Sequence, residues 1–311
     1  MIKLSTNGSQ IGGKFDRIEV SGKNVTIKDV VVEGEGITLY SNYNCSGLTV
    51  RNCVFRSRKN NAVKIIADNV GGVDENILFE NCVFEFSRMG AELQNHGNTD
   101  YKIVGAKFFN CQFRAYDDGK YRYGLSLSGY GADTIVSGCT FDNCAKGIEL
   151  VGFSNLSIVG CTVSGSTNSI IASNDRRMRG INISNCILNG QPHLYNCESS
   201  WLDDCQIKAS YVEIKKSDNV TMVDCNVTST GHYAIMLNEA KNCKVDGNTL
   251  TQTGSNYSVV RCYGKGATGN VVCNNALFMN KPKKGRWYDQ MNGASGNTFK
   301  DNSQNYIQQK Q

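Results

Sequence analysis

Apolar and polar residues alternate along this chain in short segments of three or four residues, each bounded by Gly, Asn, Asp or Ser. Leu48-Thr49-Val50 and Gly36-Ile37-Thr38-Leu39 are two of them. Alternation with a period of two over so few residues predicts short β-strands that bury one face. The i, i+3, i+4 spacing of an amphipathic helix does not occur, so the pattern predicts an all-β chain.

A four-residue phrase recurs throughout: a small polar residue, then Cys or Asn, then any residue, then a large apolar one. Copies include Asn52-Cys53-Val54-Phe55 and Asn81-Cys82-Val83-Phe84, and the late copy Gly247-Asn248-Thr249-Leu250 replaces Cys with Asn. Twelve copies give a mean period of about 24 residues, enough for three short strands that bury their apolar positions only by stacking repeat on repeat. The sequence therefore predicts a single-stranded parallel β-helix, a β-solenoid of about 12 coils with three strands per coil.

The predicted domain organisation has three parts. Residues 15–300 form the β-helix, residues 1–14 a polar N-terminal segment and residues 301–311 a polar C-terminal tail. An uncovered β-helix exposes open strand edges at its ends. Another domain or chain is expected to cover at least one of them.

The Asn-Cys-x-Phe corners and the Gly-Ile-x-Leu strands resemble the right-handed parallel β-helix (pectin-lyase-like) superfamily of pectate lyases, polygalacturonases and bacteriophage tailspikes. Within this superfamily, the sequence pattern is most similar to that of tailspike and receptor-binding β-helices. By this resemblance, the strand before each corner is the second of its coil, the strand after it is the third, and the Gly-Ile-x-Leu strand is the first. The resemblance implies a carbohydrate site on the sheet of first strands. It also implies a homotrimer or other virion proteins as the partners that cover the open ends.

Candidate catalytic residues follow from the longest turns, which cluster in coils two to five and flank the first-strand sheet. Glu92 and Glu149 should point outward two rungs apart, roughly 9–10 Å between backbones, near the ~6.5–9.5 Å that inverting glycosidases need between carboxyls. Asp117 or Asp118 could replace one of them. His96, with Arg122 and Tyr123, is the alternative for a lyase, which needs a base beside a cation.

Sugars offer apolar CH faces and many hydroxyls, so aromatic rings, amides and charged groups are expected to bind them. The candidate substrate-binding residues near these turns are Lys64, Arg88, Gln94, Asn95, Tyr116, Tyr121, Arg122, Tyr123, Ser126 and Tyr130. Arg176 and Arg177 form a separate basic cluster that could grip an acidic glycan through guanidinium contacts.

Composition narrows the alternatives. The 14 cysteines include no Cys-x-x-Cys pair, so we expect a reduced inward ladder of thiols and no metal site or cofactor. A divalent cation such as calcium is left open, although no motif indicates one. Unpaired thiols favour assembly in a reducing cytosol. The net charge of +5 does not favour nucleic-acid binding, and no apolar run is long enough for membrane insertion.

These observations favour a polysaccharide-recognising β-helix of the phage tailspike or receptor-binding type, with glycan depolymerase activity left open. Such a protein would be made in the host cytoplasm and act in the virion. Two alternatives remain. One is a secreted or extracellular bacterial polysaccharide lyase, glycoside hydrolase or epimerase, and the other is a non-catalytic structural or adhesive β-solenoid.

Overall fold

The computed structural model describes the chain in two compact units, Met1–Thr167 (unit 1) and Asn168–Gln311 (unit 2). The described residues are 1–67, 72–95, 102–116, 121–172, 176–254, 258–280 and 286–307.

Unit 1 consists of short strands, as the alternating pattern predicts. Its strands are β1 (Ile2–Leu4), β2 (Gln10–Phe15), β3 (Ile18–Val20), β4 (Thr26–Gly34), β5 (Leu39–Ser41), β6 (Thr49–Arg51), β7 (Val54–Ser57), β8 (Val63–Ile66), β9 (Val73–Glu75), β10 (Leu78–Glu80), β11 (Val83–Phe86), β12 (Met89–Gln94), β13 (Lys102–Val104), β14 (Lys107–Phe109), β15 (Gln112–Ala115), β16 (Tyr123–Ser137), β17 (Thr140–Asp142), β18 (Lys146–Val159) and β19 (Thr162–Ser164).

Each strand of unit 1 pairs in parallel with the strand one coil away. The first strands pair in the order β1, β3, β5, β8, β12, β16, β18. The third strands pair in the order β4, β7, β11, β15, β17, β19. Parallel pairing of successive coils places equivalent residues in columns along each face.

Phenylalanine rings fill the core of unit 1 because the repeat places one at the same inward position of successive coils. Phe84 stacks on Phe113 at a centroid distance of 4.6 Å, and Phe113 stacks on Phe141 at 4.6 Å. All three side chains are fully buried. Burial of such rings is the main source of stability of this stack.

The repeated Asn of the corner phrase adopts the left-handed conformation. Asn52, Asn81 and Asn110 have φ values of 54°, 54° and 52°. Asn and Gly tolerate this region better than other residues, which explains their recurrence before the Cys. The corner directs the next residue inward: among the described residues all 14 cysteines are buried and without a disulfide.

Unit 2 repeats the same plan. Its strands are β20 (Asn168–Ala172), β21 (Met178–Arg179), β22 (Ile181–Ser184), β23 (Ile187–Asn189), β24 (His193–Tyr195), β25 (Cys197–Asp203), β26 (Gln206–Ala209), β27 (Val212–Lys215), β28 (Asp218–Val223), β29 (Asn226–Ser229), β30 (Ile235–Asn238), β31 (Lys244–Asp246), β32 (Thr249–Gln252), β33 (Val260–Tyr263), β34 (Val271–Cys273), β35 (Ala276–Met279), β36 (Tyr288–Met291), β37 (Thr298–Lys300) and β38 (Ser303–Tyr306).

In unit 2 asparagine takes over the inward corner position. The Asn275 Oδ1 accepts from both the backbone N and the Nδ2 of Asn248, at 2.9 Å each. Asn275 Nδ2 in turn donates to Asn302 Oδ1 at 2.8 Å and to the Val245 carbonyl at 3.0 Å. These bonds satisfy polar groups that a buried corner would otherwise leave without partners.

Each unit is a right-handed parallel β-helix with three strands per coil, and the predicted fold is confirmed. Unit 1 has seven first strands and unit 2 has six among the described residues, close to the predicted number of coils. Strand pairing extends beyond the predicted boundaries: β1 pairs with β3, and β38 pairs with β35. No helix among the described residues is long and apolar enough to span a bilayer.

Candidate functional site

A column of polar side chains lies on the first-strand face of unit 1. Strands β5, β8, β12, β16 and β18 are in register at Tyr40, Lys64, Glu92, Ser126 and Glu149. The register follows from the parallel pairing, which repeats every ~4.8 Å. The sequence analysis named four of these five residues, and the pairing places those four on consecutive rungs.

Glu92 lies at the centre of a hydrogen-bonded group. Its Oε2 accepts from Lys64 Nζ at 3.1 Å and from Asn61 Nδ2 at 2.6 Å. The Gln94 amide, in the orientation that satisfies both of its ends, donates to Glu92 Oε1 at 3.2 Å and accepts from Lys64 at 3.0 Å. Only 12% of the Glu92 side chain is exposed, so one edge of a buried carboxylate faces the surface.

Glu149 has a similar environment. Its Oε1 accepts from Lys146 Nζ at 2.6 Å, and its Oε2 accepts from the hydroxyl of the buried Ser126 at 3.1 Å. The Lys146 ammonium also lies 4.3 Å from the centre of the Tyr123 ring. Burial lowers the pKa of Lys146, but the neighbouring Glu149 and Tyr123 raise it more, so the pKa lies above its ordinary value.

The two carboxylates are separated by one rung, that of Ser126. Two rungs of a parallel sheet span roughly 9–10 Å. The Glu149 carboxylate leans toward Ser126 on the intervening rung. The Glu92 carboxylate leans the other way, toward Lys64 and Asn61 of the preceding coil. Each carboxylate is bound to a lysine and to a neutral donor. These bonds fix the orientation of both carboxylates. The side chains of the column form a line of hydrogen-bond donors and acceptors, which suits hydroxyl groups.

Other predicted residues shape the surroundings of the column. The side chain of the buried Asn95 accepts a hydrogen bond from the Tyr130 backbone N at 2.9 Å and donates one to the Tyr130 carbonyl at 3.1 Å. These two bonds fix the bend within β16. Arg122 is buried and donates to the Asn143 carbonyl at 2.7 Å. The structure therefore shows contacts to the backbone for Asn95 and Arg122.

Tyr116 lies with the third-strand side of the coil. Its hydroxyl donates to Glu85 Oε2 at 3.3 Å, and Glu85 also accepts from Arg56 Nε at 2.7 Å. Burial, followed by the charge of Glu85, raises the pKa of Tyr116. Tyr121 is 60% exposed and Arg88 is also exposed, so neither shares the buried setting of the column.

Three predicted catalytic residues, His96, Asp117 and Asp118, lie outside the described residues. The predicted basic cluster belongs to unit 2, where Arg176 is half-buried. Arg177 contacts Glu198 there, with 3.0 Å between Nε and Oε2. Arg177 also lines a groove of about 510 Å³ with Lys216, Asp218, Glu239 and other residues.

The sequence analysis missed a second polar column, on the first-strand face of unit 2. It contains His193, Glu213, Met236, Arg261 and Asp289 in register. The alternation in His193-Leu194-Tyr195 and Val212-Glu213-Ile214-Lys215 indicates that His193 and Glu213 point outward, but it does not show that they meet. The candidate site residues were chosen by their position near the longest turns, which lie in coils two to five.

Comparison with known families gives two matches. Residues 20–195 match the family model described as the right-handed β-helix region. Residues 132–311 match the model of the periplasmic copper-binding protein NosD. No curated protein matches the chain.

Solved structures similar to this chain include two with a TM-score of 0.51. They are the endo-xylogalacturonan hydrolase of Aspergillus tubingensis, at 9% identity over 91% of this chain and 86% of the hydrolase, and the GH136 lacto-N-biosidase of Eubacterium ramulus, at 8% identity over 96% of this chain and 68% of the biosidase. The Dettilon tailspike protein matches with a TM-score of 0.45, at 13% identity over 94% of this chain and 62% of the tailspike. At such identities the similarity of the hydrolase and of the biosidase shows the fold alone.

The NosD match raises the question of copper, which in proteins prefers thiolate, thioether and imidazole ligands. No group of three or more His, Cys, Asp or Glu is placed to hold a metal ion in the part of the chain that the structure describes. Burial raises the pKa of Cys197 to about 12 and of Cys243 to about 11, which keeps these thiols protonated. The described residues do not fit a copper site, and no copper step enters the function below.

Proposed function

This chain belongs to the right-handed β-helix family and to the NosD family, and we propose that it recognises a polysaccharide or cell-surface glycan. The ligand lies along the first-strand face of unit 1, against Lys64, Glu92, Ser126 and Glu149. Tyr40 on the same column offers an aromatic face beside these polar groups.

The observation that carries this proposal is the hydrogen bonding within the column. Glu92 and Glu149 are each held by a lysine and a neutral donor, so their orientations are set before a ligand arrives. Preorganised polar groups bind with less loss of side-chain entropy. A sugar chain presents hydroxyls at successive positions, which suits donors and acceptors that repeat every ~4.8 Å.

Two similar structures support the ligand class. The names of the xylogalacturonan hydrolase and of the lacto-N-biosidase both state a glycan-cleaving activity. Their fold is the one that this chain shares.

Glycan hydrolysis is the second candidate, favoured by the position of Glu92 and Glu149 on one column with a single rung between them. One carboxyl would protonate the leaving oxygen and the other would activate water, the arrangement of an inverting glycosidase. Both carboxylates are already engaged by a lysine, so a leaving oxygen and an attacking water would have to displace these partners. Binding without cleavage is therefore the primary proposal.

The setting we propose is that of a phage tailspike or receptor-binding protein, a homotrimer assembled in the host cytoplasm. The 14 buried cysteines without disulfides support folding in a reducing compartment. The alternative is an exported bacterial protein, for which the name of the NosD family is the support. Light scattering of the purified chain distinguishes a trimer from a monomer.

A glycan array followed by calorimetry tests the primary proposal. Glu92→Gln and Lys64→Met should each weaken binding of the best ligand at least tenfold, because each breaks the 3.1 Å ion pair on the column. Glu85→Gln, on the third-strand side, is the matched control and should bind as the wild type does. Equal affinities of all four proteins would contradict the proposed face.

The hydrolysis candidate has its own measurement. Reducing ends released from the bound polysaccharide should fall at least a hundredfold in Glu92→Gln and in Glu149→Gln. Wild-type protein that binds the glycan and releases no reducing ends would leave recognition as the function and remove hydrolysis.

A further inference from the structure

The first-strand face of unit 2 contains a histidine and a glutamate on adjacent rungs. His193 Nε2 lies 3.3 Å from Glu213 Oε2, and Glu213 Oε1 accepts from Asn238 Nδ2 at 3.1 Å. The exposed fractions of the two side chains are 26% for His193 and 9% for Glu213. Glu213 is thus buried and fixed by Asn238, while the imidazole remains accessible.

The contact with Glu213 decides which nitrogen can act as a base. Nε2 is buried beside the Glu213 carboxylate without a hydrogen bond to any described residue. The carboxylate charge favours a proton on this nitrogen, so the neutral ring presents Nδ1 as its basic nitrogen. No hydrogen bond to Nδ1 occurs in the described part of the chain. A carboxylate on one side of the ring and an open nitrogen on the other suit a general base.

Burial favours the neutral form of the imidazole. Burial lowers the pKa of His193 and outweighs the charge of Glu213, which raises it; the charge of Lys215 lowers it further. The preceding rung contributes Ile171, which carries no charge. At neutral pH His193 can therefore accept a proton.

Cations lie beside this pair. The ammonium groups of Lys215 and Lys216 lie 5.4 Å and 5.8 Å from the centre of the Tyr195 ring. The same ring makes an edge contact with His193 at a centroid distance of 6.2 Å. Lys216 also lines the groove of about 510 Å³, whose lining residues do not include His193 or Tyr195.

We propose that His193 and Glu213 form a general-base site that hydrolyses ester substituents, such as O-acetyl groups, on a glycan that lies across the first-strand face of unit 2. Glu213 is a positioning residue. Lys215 is the cation for the oxyanion that forms on the ester carbonyl oxygen. The site goes beyond the proposed function, because neither Glu92 nor Glu149 takes part in it.

The reaction balances with water alone. Water bonds to the carbonyl carbon as His193 Nδ1 takes its proton, and the carbonyl π electrons move to the oxygen near Lys215. When the C=O bond re-forms, the bond from carbon to the sugar oxygen breaks, and the imidazolium returns its proton to that oxygen. The products are a carboxylic acid and a free sugar hydroxyl.

The geometry favours ester hydrolysis over removal of a carbon-bound proton next to a sugar carboxylate. That reaction needs a cation that neutralises the carboxylate, a role suited to a bidentate guanidinium. The guanidinium of this face belongs to Arg261, which donates to Asp289 at 2.6 Å and packs 4.3 Å from the centre of the Tyr233 ring.

Acetate release from acetylated xylan and from acetylated polygalacturonate, with the full chain, tests the proposal. His193→Gln should lower kcat by about 10²–10⁴-fold, the range of general-base catalysis. His232→Gln, which alters a histidine of the turn before Tyr233, should retain the wild-type rate. Circular dichroism of both variants controls for folding.

The pH profile separates a positioning role from a structural one. Glu213→Gln should move the acidic limb of the kcat profile to lower pH, because the Glu213 charge raises the pKa of His193. Lys215→Met should move the limb to higher pH, because the Lys215 charge lowers that pKa.

Three results would overturn the proposal. They are the lack of acetate release from both polymers between pH 5 and 9, an unchanged rate in His193→Gln, and a rise in absorbance at 235 nm without acetate, which would indicate β-elimination. Acetate release reports on this site and binding in the glycan array reports on the unit 1 site, so failure of the one and failure of the other are distinguishable.

Discussion

Asp74 gives unit 1 a dependence of stability on pH that a single substitution should remove. Its side chain is 2% exposed, and its Oδ1 accepts from the Cys45 backbone N at 2.8 Å. Its Oδ2 has no hydrogen-bond partner among the described residues. Burial raises the pKa of Asp74 to about 7, against the opposing effects of the Cys45 N–H and the Lys23 charge.

The sign of the effect follows from where each state releases the proton. An unfolded aspartate ionises near pH 4, while the folded one holds its proton until about pH 7. The contribution of the protonated Asp74 to the stability of the wild type is therefore fully present below about pH 4, and it is lost as the pH rises to about 7. Three pKa units at about 1.4 kcal/mol each set an upper value of about 4 kcal/mol for this loss.

Urea unfolding of wild type and Asp74→Asn at pH 4.5 and pH 8 measures this loss. At each pH the free energy of unfolding of the wild type is subtracted from that of Asp74→Asn. This difference should change by about 2–4 kcal/mol between the two pH values, with the variant more stable at pH 8. Asp133→Asn, an exposed aspartate of unit 1, is the control and should show no such change. A constant difference between wild type and Asp74→Asn at both pH values would refute the reasoning.

Three further predictions concern packing and hydrogen bonding, each measured by urea unfolding. Phe113→Ala should lower stability by about 3–5 kcal/mol, because it opens a cavity between two rings stacked at 4.6 Å; a loss below 1 kcal/mol would contradict that packing. Gly129→Ala should cost more than about 1 kcal/mol, since φ is 110° and the added Cβ would lie 1.7 Å from Asn95 Oδ1; a neutral result would contradict the bend at that glycine. Asn275→Ala should lower stability by about 2–4 kcal/mol, because buried donors and acceptors on both neighbouring coils lose their partner. A loss equal to that of the exposed Asn226→Ala would contradict the hydrogen bonding between the stacked asparagines.

The fold could be predicted from the sequence because its constraints repeat. A corner that needs a positive φ selects Asn, Asp or Gly, and the inward position after it selects Cys or Asn. Each coil has the same requirements at these two positions, so the repeat period can be read from the sequence. Among the described residues, nineteen strands in each unit follow that period.

The candidate site could be predicted only in part. The outward positions Lys64, Glu92, Ser126 and Glu149 follow from alternation and share a column, as predicted. The burial of Ser126 could not be predicted, because it depends on side chains of neighbouring rungs. The contact of Tyr116 with Glu85 likewise depends on the path of the chain after its strand ends.

His193 and Glu213 escaped prediction for a different reason. They are 20 positions apart, which is shorter than the mean repeat, and register between rungs depends on the length of each individual coil. Pairing between coils of unequal length is fixed by the corners and turns. The set of outward residues alone does not show which of them meet.

A crystal structure with the oligosaccharide that binds most tightly in the glycan array would test the central claim most directly. We expect sugar hydroxyls within hydrogen-bonding distance of the carboxylates of Glu92 and Glu149, with a CH face of the sugar against Tyr40 or Tyr123. A sugar bound at full occupancy on the third-strand side, beside Glu85 and Tyr116, with the first-strand face of unit 1 left bare, would contradict the account.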